Sequence, residues 1–195
     1  MSSASSPSTA RVVILSGPSG AGKTTVVREL LQSSPVPLVL SVSATTRGPR
    51  AGELDGREYH FLSHVEFARR RAAGEFLECK EVFGRGDWYG TLRQAVTTGL
   101  HQGKWVLLEI DVEGAMAVRE QFPDCAMIFL HPGSLAELER RLRGRGTDSE
   151  DSIRRRLEVA GGELARASEY SYQVVNETPS QAVAEIRAIL ARIAG

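Results

Sequence analysis

The stretch Gly17-Pro18-Ser19-Gly20-Ala21-Gly22-Lys23-Thr24 constrains this chain more than any other. It fits the pattern G-x-x-x-x-G-K-[ST] and lies between two readable segments. Before it, Arg11-Val12-Val13-Ile14-Leu15-Ser16 has the apolar, β-branched character of a buried strand. After it, Thr25-Val26-Val27-Arg28-Glu29-Leu30-Leu31 reads as a helix. A strand, a glycine-rich loop and a helix in that order make a phosphate-binding loop. The glycines let backbone N–H groups approach phosphate oxygens with no Cβ in the way. The helix presents its positive end to the anion. Lys23 adds a full charge for the β- and γ-phosphates, and the Thr24 hydroxyl is placed to hold Mg²⁺. The motif therefore predicts a nucleoside triphosphate site and leaves open what is done with it.

The rest of the chain alternates strands and helices at both ends, which predicts a parallel sheet covered by helices. Leu38-Val39-Leu40-Ser41-Val42, Trp105-Val106-Leu107-Leu108-Glu109-Ile110-Asp111 and Ala126-Met127-Ile128-Phe129-Leu130 read as buried strands, and Ser171 to Val175 as a short last one. The middle is richer in strand and loop. Gly56 to Leu62 and Phe76 to Val82 read as strands, Phe83 to Gly90 as a turn, and Thr91 to His101 as a helix. Capping boxes at Ser63/Glu66, Ser134/Glu137 and Thr147/Glu150 open three helices. Thr178-Pro179 opens the last one, which stacks Val183, Ile186, Leu190 and Ile193. The expected organisation is one α/β domain over 11–195. It has a core (11–41, 92–140 and 159–195), an inserted mixed α/β subdomain (42–91), a small helical lid (141–158) and a disordered Ser-rich tail (1–10).

Charge narrows the partners. Lys and Arg together number 24, as do Asp and Glu, so no bulk field draws the chain to nucleic acid or to a membrane. Lysine occurs only at Lys23, Lys80 and Lys104; the other cations are arginines, which grip phosphates bidentately. Cys79 and Cys125 lack metal-type spacing and read as reduced residues of a cytoplasmic protein. There is no signal-peptide pattern and no apolar run long enough to span a bilayer.

Several residues point to chemistry. Asp111 ends a buried strand, where the acid of a phosphate-loop protein sits beside the loop; it either helps hold Mg²⁺ or substrate, or caps the helix that follows. Glu109 lies on the same face, placed to hold an arginine or a water. Arg141, Arg145 and Arg156 flank the polar loop Gly144 to Ser149. They either close over a transferring phosphate or form a solvated face. Arg47 and Arg50 are two fork-shaped donors in one loop, suited to a phosphomonoester dianion or simply exposed.

The segment Ser41 to Glu53 (Ser-Val-Ser-Ala-Thr-Thr-Arg-Gly-Pro-Arg-Ala-Gly-Glu) resembles the nucleotide-monophosphate loop of guanylate kinases. Tyr59, Glu78, Tyr89-Gly90-Thr91, Glu109-Ile110-Asp111 and Arg145-Gly146-Thr147-Asp148-Ser149 follow in that family's order. The resemblance runs from Arg11 to Arg192. It implies that Ser43, Glu78 and Thr91 read guanine, and that Arg47, Arg50, Tyr59 and Tyr89 hold the GMP phosphate. Arg141, Arg145 and Arg156 become lid arginines, and Asn176 lies near the ATP base or ribose. Glu78 has its own logic: guanine offers adjacent N1–H and 2-amino donors to one carboxylate, and adenine does not. The turn Gly84-Arg85-Gly86-Asp87 departs from the family by its length and its arginine.

The expected reaction is transfer of the γ-phosphoryl group of ATP to GMP or dGMP, in line, with Lys23, Mg²⁺ and the lid arginines stabilising charge. The expected partners are these nucleotides alone, and the expected assembly is a monomer or homodimer. Two other readings compete. One is a kinase of related fold acting on a phosphorylated ribose; the other is a binding module that kept the fold and lost catalysis.

Overall fold

The runs with the most continuous apolar character form the middle of a parallel sheet. In the computed structural model, which describes residues 10–82, 86–144 and 149–195, β1 (Val12–Ser16) is flanked by β7 (Trp105–Glu109) and β8 (Ala126–His131). β2 (Leu38–Leu40) and β9 (Tyr172–Val175) take the edges, giving the order β2-β7-β1-β8-β9 with every pair parallel. The strands' period of two sends alternate residues to opposite faces. Val13, Leu15, Leu107, Ile128 and Leu130 meet α1 (Lys23–Ser33) and α7 (Pro179–Ala194). Ile14, Val106, Leu108, Met127 and Phe129 meet α3 (Arg93–His101) and α4 (Val112–Gln121). Burial on both faces is why these strands read as unbroken apolar runs.

The inserted region builds a second sheet, in the order β4-β3-β6-β5, from β3 (Ala44–Thr45), β4 (His60–Phe61), β5 (Phe76–Glu81) and β6 (Trp88–Leu92). β3 is parallel to β4 and antiparallel to β6, which is antiparallel to β5. One face buries Ala44, Phe76, Cys79, Trp88 and Leu92 against Phe67 of α2 (His64–Ala72). A register shift between Phe76 and Glu78 breaks the alternation. That bulge sends Phe76 into the apolar cluster and turns Glu78, two residues on, to the opposite side with Thr91. Leu77, between them, joins the main core. A third cluster joins α5 (Leu135–Gly144) to α6 (Glu150–Ala165) through Leu138, Leu142, Ile153 and Ala160.

Four expectations change. The strand expected over Gly56 to Leu62 is only His60–Phe61, because residues 55–59 close a turn in which Gly56 N donates to Tyr59 O at 2.9 Å. Trp88 to Gly90, expected in a turn, and Thr91, expected in a helix, all belong to β6; the helix begins at Arg93. The cap of α6 is Ser149, whose hydroxyl accepts from Ser152 N. Thr147 lies outside the described residues. The caps at Ser63, Ser134 and Thr178 form as expected.

Candidate active site

The phosphate loop is made tight by backbone proximity. Gly17 has φ 145°, and a Cβ there would stand 1.9 Å from the Leu130 carbonyl oxygen of β8. Gly22, at φ 90°, is the N-cap of α1, and no side chain caps that helix. Its first-turn N–H groups are thus left for an anion. Lys23 Nζ donates to Gly17 O at 2.6 Å and Pro18 O at 3.2 Å, so the ammonium stays at the mouth of its own loop. Desolvation pulls its pKa below the ordinary lysine value, opposed by the carboxylates of Glu109, Glu163 and Asp111. The Thr24 hydroxyl donates to Glu109 Oε1 at 3.2 Å.

Asn176 lines a cleft beside the phosphate loop and also contacts the loop itself. It is 2% exposed, and its Nδ2 donates to Ala21 O of the phosphate loop at 2.6 Å. Its carbonyl accepts from Arg141 Nη2 at 2.6 Å, while Arg141 Nε donates to Glu137. Asn176 therefore braces the loop with its side chain and holds Arg141 with its backbone. A cleft of about 420 Å³ opens beside it, lined among others by Gly20, Gly22, Thr25, Arg140 and Arg141. Arg156 is half-buried on α6, and Ser19 is exposed at the tip of the loop. Arg145 lies outside the described residues.

In the inserted region a second cationic site is assembled from side chains. Arg47 donates to both carboxylate oxygens of Glu53, each at 3.0 Å, and through Nε to the Tyr89 hydroxyl at 3.1 Å. Its guanidinium also lies over the rings of Tyr59, 5.4 Å away, and Phe61. Tyr59 and Tyr89 meet edge to face at 5.6 Å. The Glu53 hydrogen bonds raise the pKa of Arg47 above the ordinary arginine value. Arg50 holds Glu53 through its backbone N–H, and its side chain is exposed. Glu53 was not among the expected site residues, although it ends the segment that carries the resemblance.

The third group gathers at the start of α4. Glu78 Oε1 accepts from the Thr91 hydroxyl at 2.6 Å, and Thr91 is fully buried. Burial pushes the Glu78 carboxyl up from its ordinary value. A Cβ on Gly114 would stand 3.0 Å from Glu78 Oε2, so this carboxylate lies against the first turn of α4. Asp111 Oδ1 accepts from Gly114 N at 2.9 Å, which realises the helix-capping reading of that acid. Asp111 Oδ2 takes Lys80 Nζ at 2.6 Å. The carboxylate that meets the Thr24 hydroxyl is that of Glu109. Ser43 is half-buried just before β3, and its carbonyl accepts from His60 N. The long turn leaves the register intact, for Tyr89 stands opposite Lys80 and Thr91 opposite Glu78. Residues 83–85 of that turn lie outside the described residues.

A phosphate loop, an arginine–tyrosine cluster and a half-buried carboxylate match the sequence resemblance, and comparison with known proteins decides the matter. The family model described as guanylate kinase matches residues 9–193. The chain belongs to the guanylate kinase family. It is 59% identical over 182 residues to the guanylate kinase of Rhodopirellula baltica, covering 92% of this chain and 87% of that one. It is 47% identical to the guanylate kinase of Trichormus variabilis, covering 94% and 91%. The crystal structure of guanylate kinase from Anaplasma phagocytophilum superposes with a TM-score of 0.78 at 33% identity, covering 96% of this chain and 87% of that one. Lys80 and Glu53 are the charged partners in these clusters that sequence reasoning missed. The partners of Lys80 lie more than thirty positions away, at Asp111 and Glu113. No local pattern links them.

Proposed function

We infer that the chain transfers the γ-phosphoryl group of ATP to GMP, and to dGMP, giving ADP and GDP. One observation carries this reading beyond family membership. Glu78, hydrogen-bonded to a buried Thr91, stands in the same subdomain as the Arg47–Tyr89 pair. That combination suits a ligand with a donor-rich base at one end and a phosphate at the other. Glu78 accepts guanine N1–H and the 2-amino group, Asp111 adds a second acceptor, and Ser43 and Thr91 complete the set. AMP would offer the Glu78 carboxylate no such pair of donors. Arg47, Arg50, Tyr59 and Tyr89 hold the GMP phosphate, with Glu53 orienting the Arg47 fork.

On the donor side, the loop N–H groups of Gly17 to Thr24 hold the β- and γ-phosphates, and Lys23 swings from its carbonyl partners to the γ-phosphate. Arg141, with Arg145 and Arg156, closes over the transferring group. The GMP phosphate is already ionised, so no general base is required; positioning and charge stabilisation do the work. Closure excludes water, which would otherwise compete as nucleophile. The Thr24 hydroxyl and the Glu109 carboxylate are hard oxygen donors side by side, a fit for Mg²⁺ arriving with ATP. Bound there, Mg²⁺ would neutralise charge on the β- and γ-phosphate oxygens. Asp111, steadied by Lys80 and Gly114 N, is the second acid of this reading, available to the metal or, as above, to the base.

The division into core, acceptor subdomain (42–91) and lid (141–158) belongs to this reading. So do action as a monomer or homodimer and a place in the cytoplasm. Among the described residues no helix is long and apolar enough to cross a membrane. Phosphorus NMR tests the transfer directly. ATP and GMP should yield GDP and ADP in equal amounts; ADP with inorganic phosphate and no GDP would make the chain an ATPase instead.

A further inference from the structure

We propose that Lys80 is a positioning residue for guanine recognition, holding the Asp111 carboxylate beside Glu78 so that two acceptors face one donor edge. The inference rests on the guanine-reading role given above to Glu78 and Asp111. It starts from an ion pair that joins the two sheets' territories: Lys80 is on β5 of the inserted subdomain, and both its partners are at the start of α4 in the core. Lys80 Nζ is 2.6 Å from Asp111 Oδ2 and 2.9 Å from Glu113 Oε2. Asp111 is thereby gripped at both oxygens, by Gly114 N on one and Lys80 on the other. A carboxylate held at two points keeps one orientation, whereas a singly held one rotates.

Charge explains why a cation belongs there. Glu78 leans on Gly114 and Asp111 caps the same residue, so two carboxylates converge on one turn of helix. Glu113 joins them through Lys80. Like charges at such separations repel, and the groups facing this point from every side include Glu163 of α6 and Lys23 of the phosphate loop. Lys23 is committed to the phosphate loop. Among the described residues, Lys80 is the cation paired with the acids of this cluster. Its side chain is about one-third exposed, as is that of Asp111, so both stand at the edge of the cleft rather than sealed in the core.

The prediction separates orientation from chemistry. Lys80→Met keeps the length of the side chain and removes the charge. It should raise KM for GMP roughly tenfold, the scale of one misplaced acceptor, with a smaller fall in kcat. KM for ATP should stay within about twofold, since the donor contacts do not involve Lys80. Inosine monophosphate lacks the 2-amino group, so its KM should rise less, and the preference for GMP over it should contract. Lys80→Arg reaches the same carboxylates and should restore most of the preference. Lys80→Gln, measured by calorimetric binding of both nucleotides, serves if the Met variant is poorly folded.

The wild-type chain is the control. If it turns over GMP and prefers it to inosine monophosphate, but Lys80→Met and Lys80→Gln leave that preference unchanged, the positioning role is overturned alone. Equal losses for both nucleotides, unrescued by arginine, would also overturn it and reduce Lys80 to a structural tie. A wild-type chain that fails to distinguish the two nucleotides would overturn the guanine reading itself, and the role of Lys80 with it.

Discussion

On the function proposed above, the donor and acceptor sides each hold a nucleotide, and they are built from different materials. The donor side is backbone. Gly17 runs against Leu130 O, Gly22 leaves the helix start uncapped, and Lys23 rests on two carbonyls of its own loop. The acceptor side is side chain on side chain: Arg47 on Glu53 and Tyr89, Glu78 on Thr91, Lys80 on Asp111. A backbone site needs consecutive residues, and a side-chain site gathers them from several strands. Damage on the donor side should therefore fall on catalysis or on the fold itself. Damage on the acceptor side should fall on affinity and selectivity.

The sharpest break is Lys23→Met. It removes only two hydrogen bonds to carbonyls, yet takes the charge from the γ-phosphate site. Steady-state kinetics should show kcat reduced by at least roughly 10²–10³-fold, with the thermal midpoint nearly unchanged. Near-normal turnover would contradict the mechanism.

Next in size is a contrast between glycines. Gly17→Ala should cost more than about 2 kcal/mol, because its Cβ meets a backbone oxygen that cannot move aside. Gly52→Ala, in the acceptor loop at φ 85° with nothing within 4 Å, should cost only about 1 kcal/mol. Urea unfolding of both variants checks this; equal costs would erase the distinction between a backbone-built and a side-chain-built site.

Arg47→Lys keeps the charge and loses the fork. Bidentate charged hydrogen bonds are worth about 1.5–3 kcal/mol, so KM for GMP should rise at least roughly tenfold while KM for ATP holds. A change confined to kcat would move Arg47 from the binding site to the transfer step.

The smallest effect has the opposite sign. Burial raises the Glu78 pKa, so its ionised form is disfavoured in the fold. That cost is fully present above the raised folded value and vanishes as pH falls below the ordinary glutamate range. Glu78→Gln should therefore stabilise the fold by about 0.5–2 kcal/mol at pH 8, with the gain shrinking toward pH 4, while discrimination against AMP weakens. Thermal melts at the two pH values, paired with GMP and AMP turnover, check both halves.

This contrast also explains what the sequence made legible. The phosphate loop is contiguous, and β1, β7 and β8 announce themselves because both their faces are buried. Helix starts at Ser63, Ser134 and Thr178 are local events and are read locally. Thr91 was misplaced into a helix because β6 is set by its pairing with β3 and β5, which a local window does not see. The two-residue β4 was overextended because the turn at residues 55–59 breaks an otherwise strand-like run. Asn176 was assigned to a nucleotide contact; the structure adds the brace onto Ala21, 155 positions away. Lys80 escaped notice for the same reason, its partners being assembled only by the docking of β5 on α4.

The most direct test of the central claim is ADP formation from ATP and Mg²⁺ with GMP, AMP, UMP and ribose 1,5-bisphosphate offered separately. Turnover confined to GMP and its deoxy form would support both the phosphate loop and the Glu78 reading. Turnover with AMP as fast as with GMP, or with the ribose bisphosphate alone, would contradict the account of the acceptor side. Tight GMP binding without turnover of any acceptor would contradict the account of the donor side.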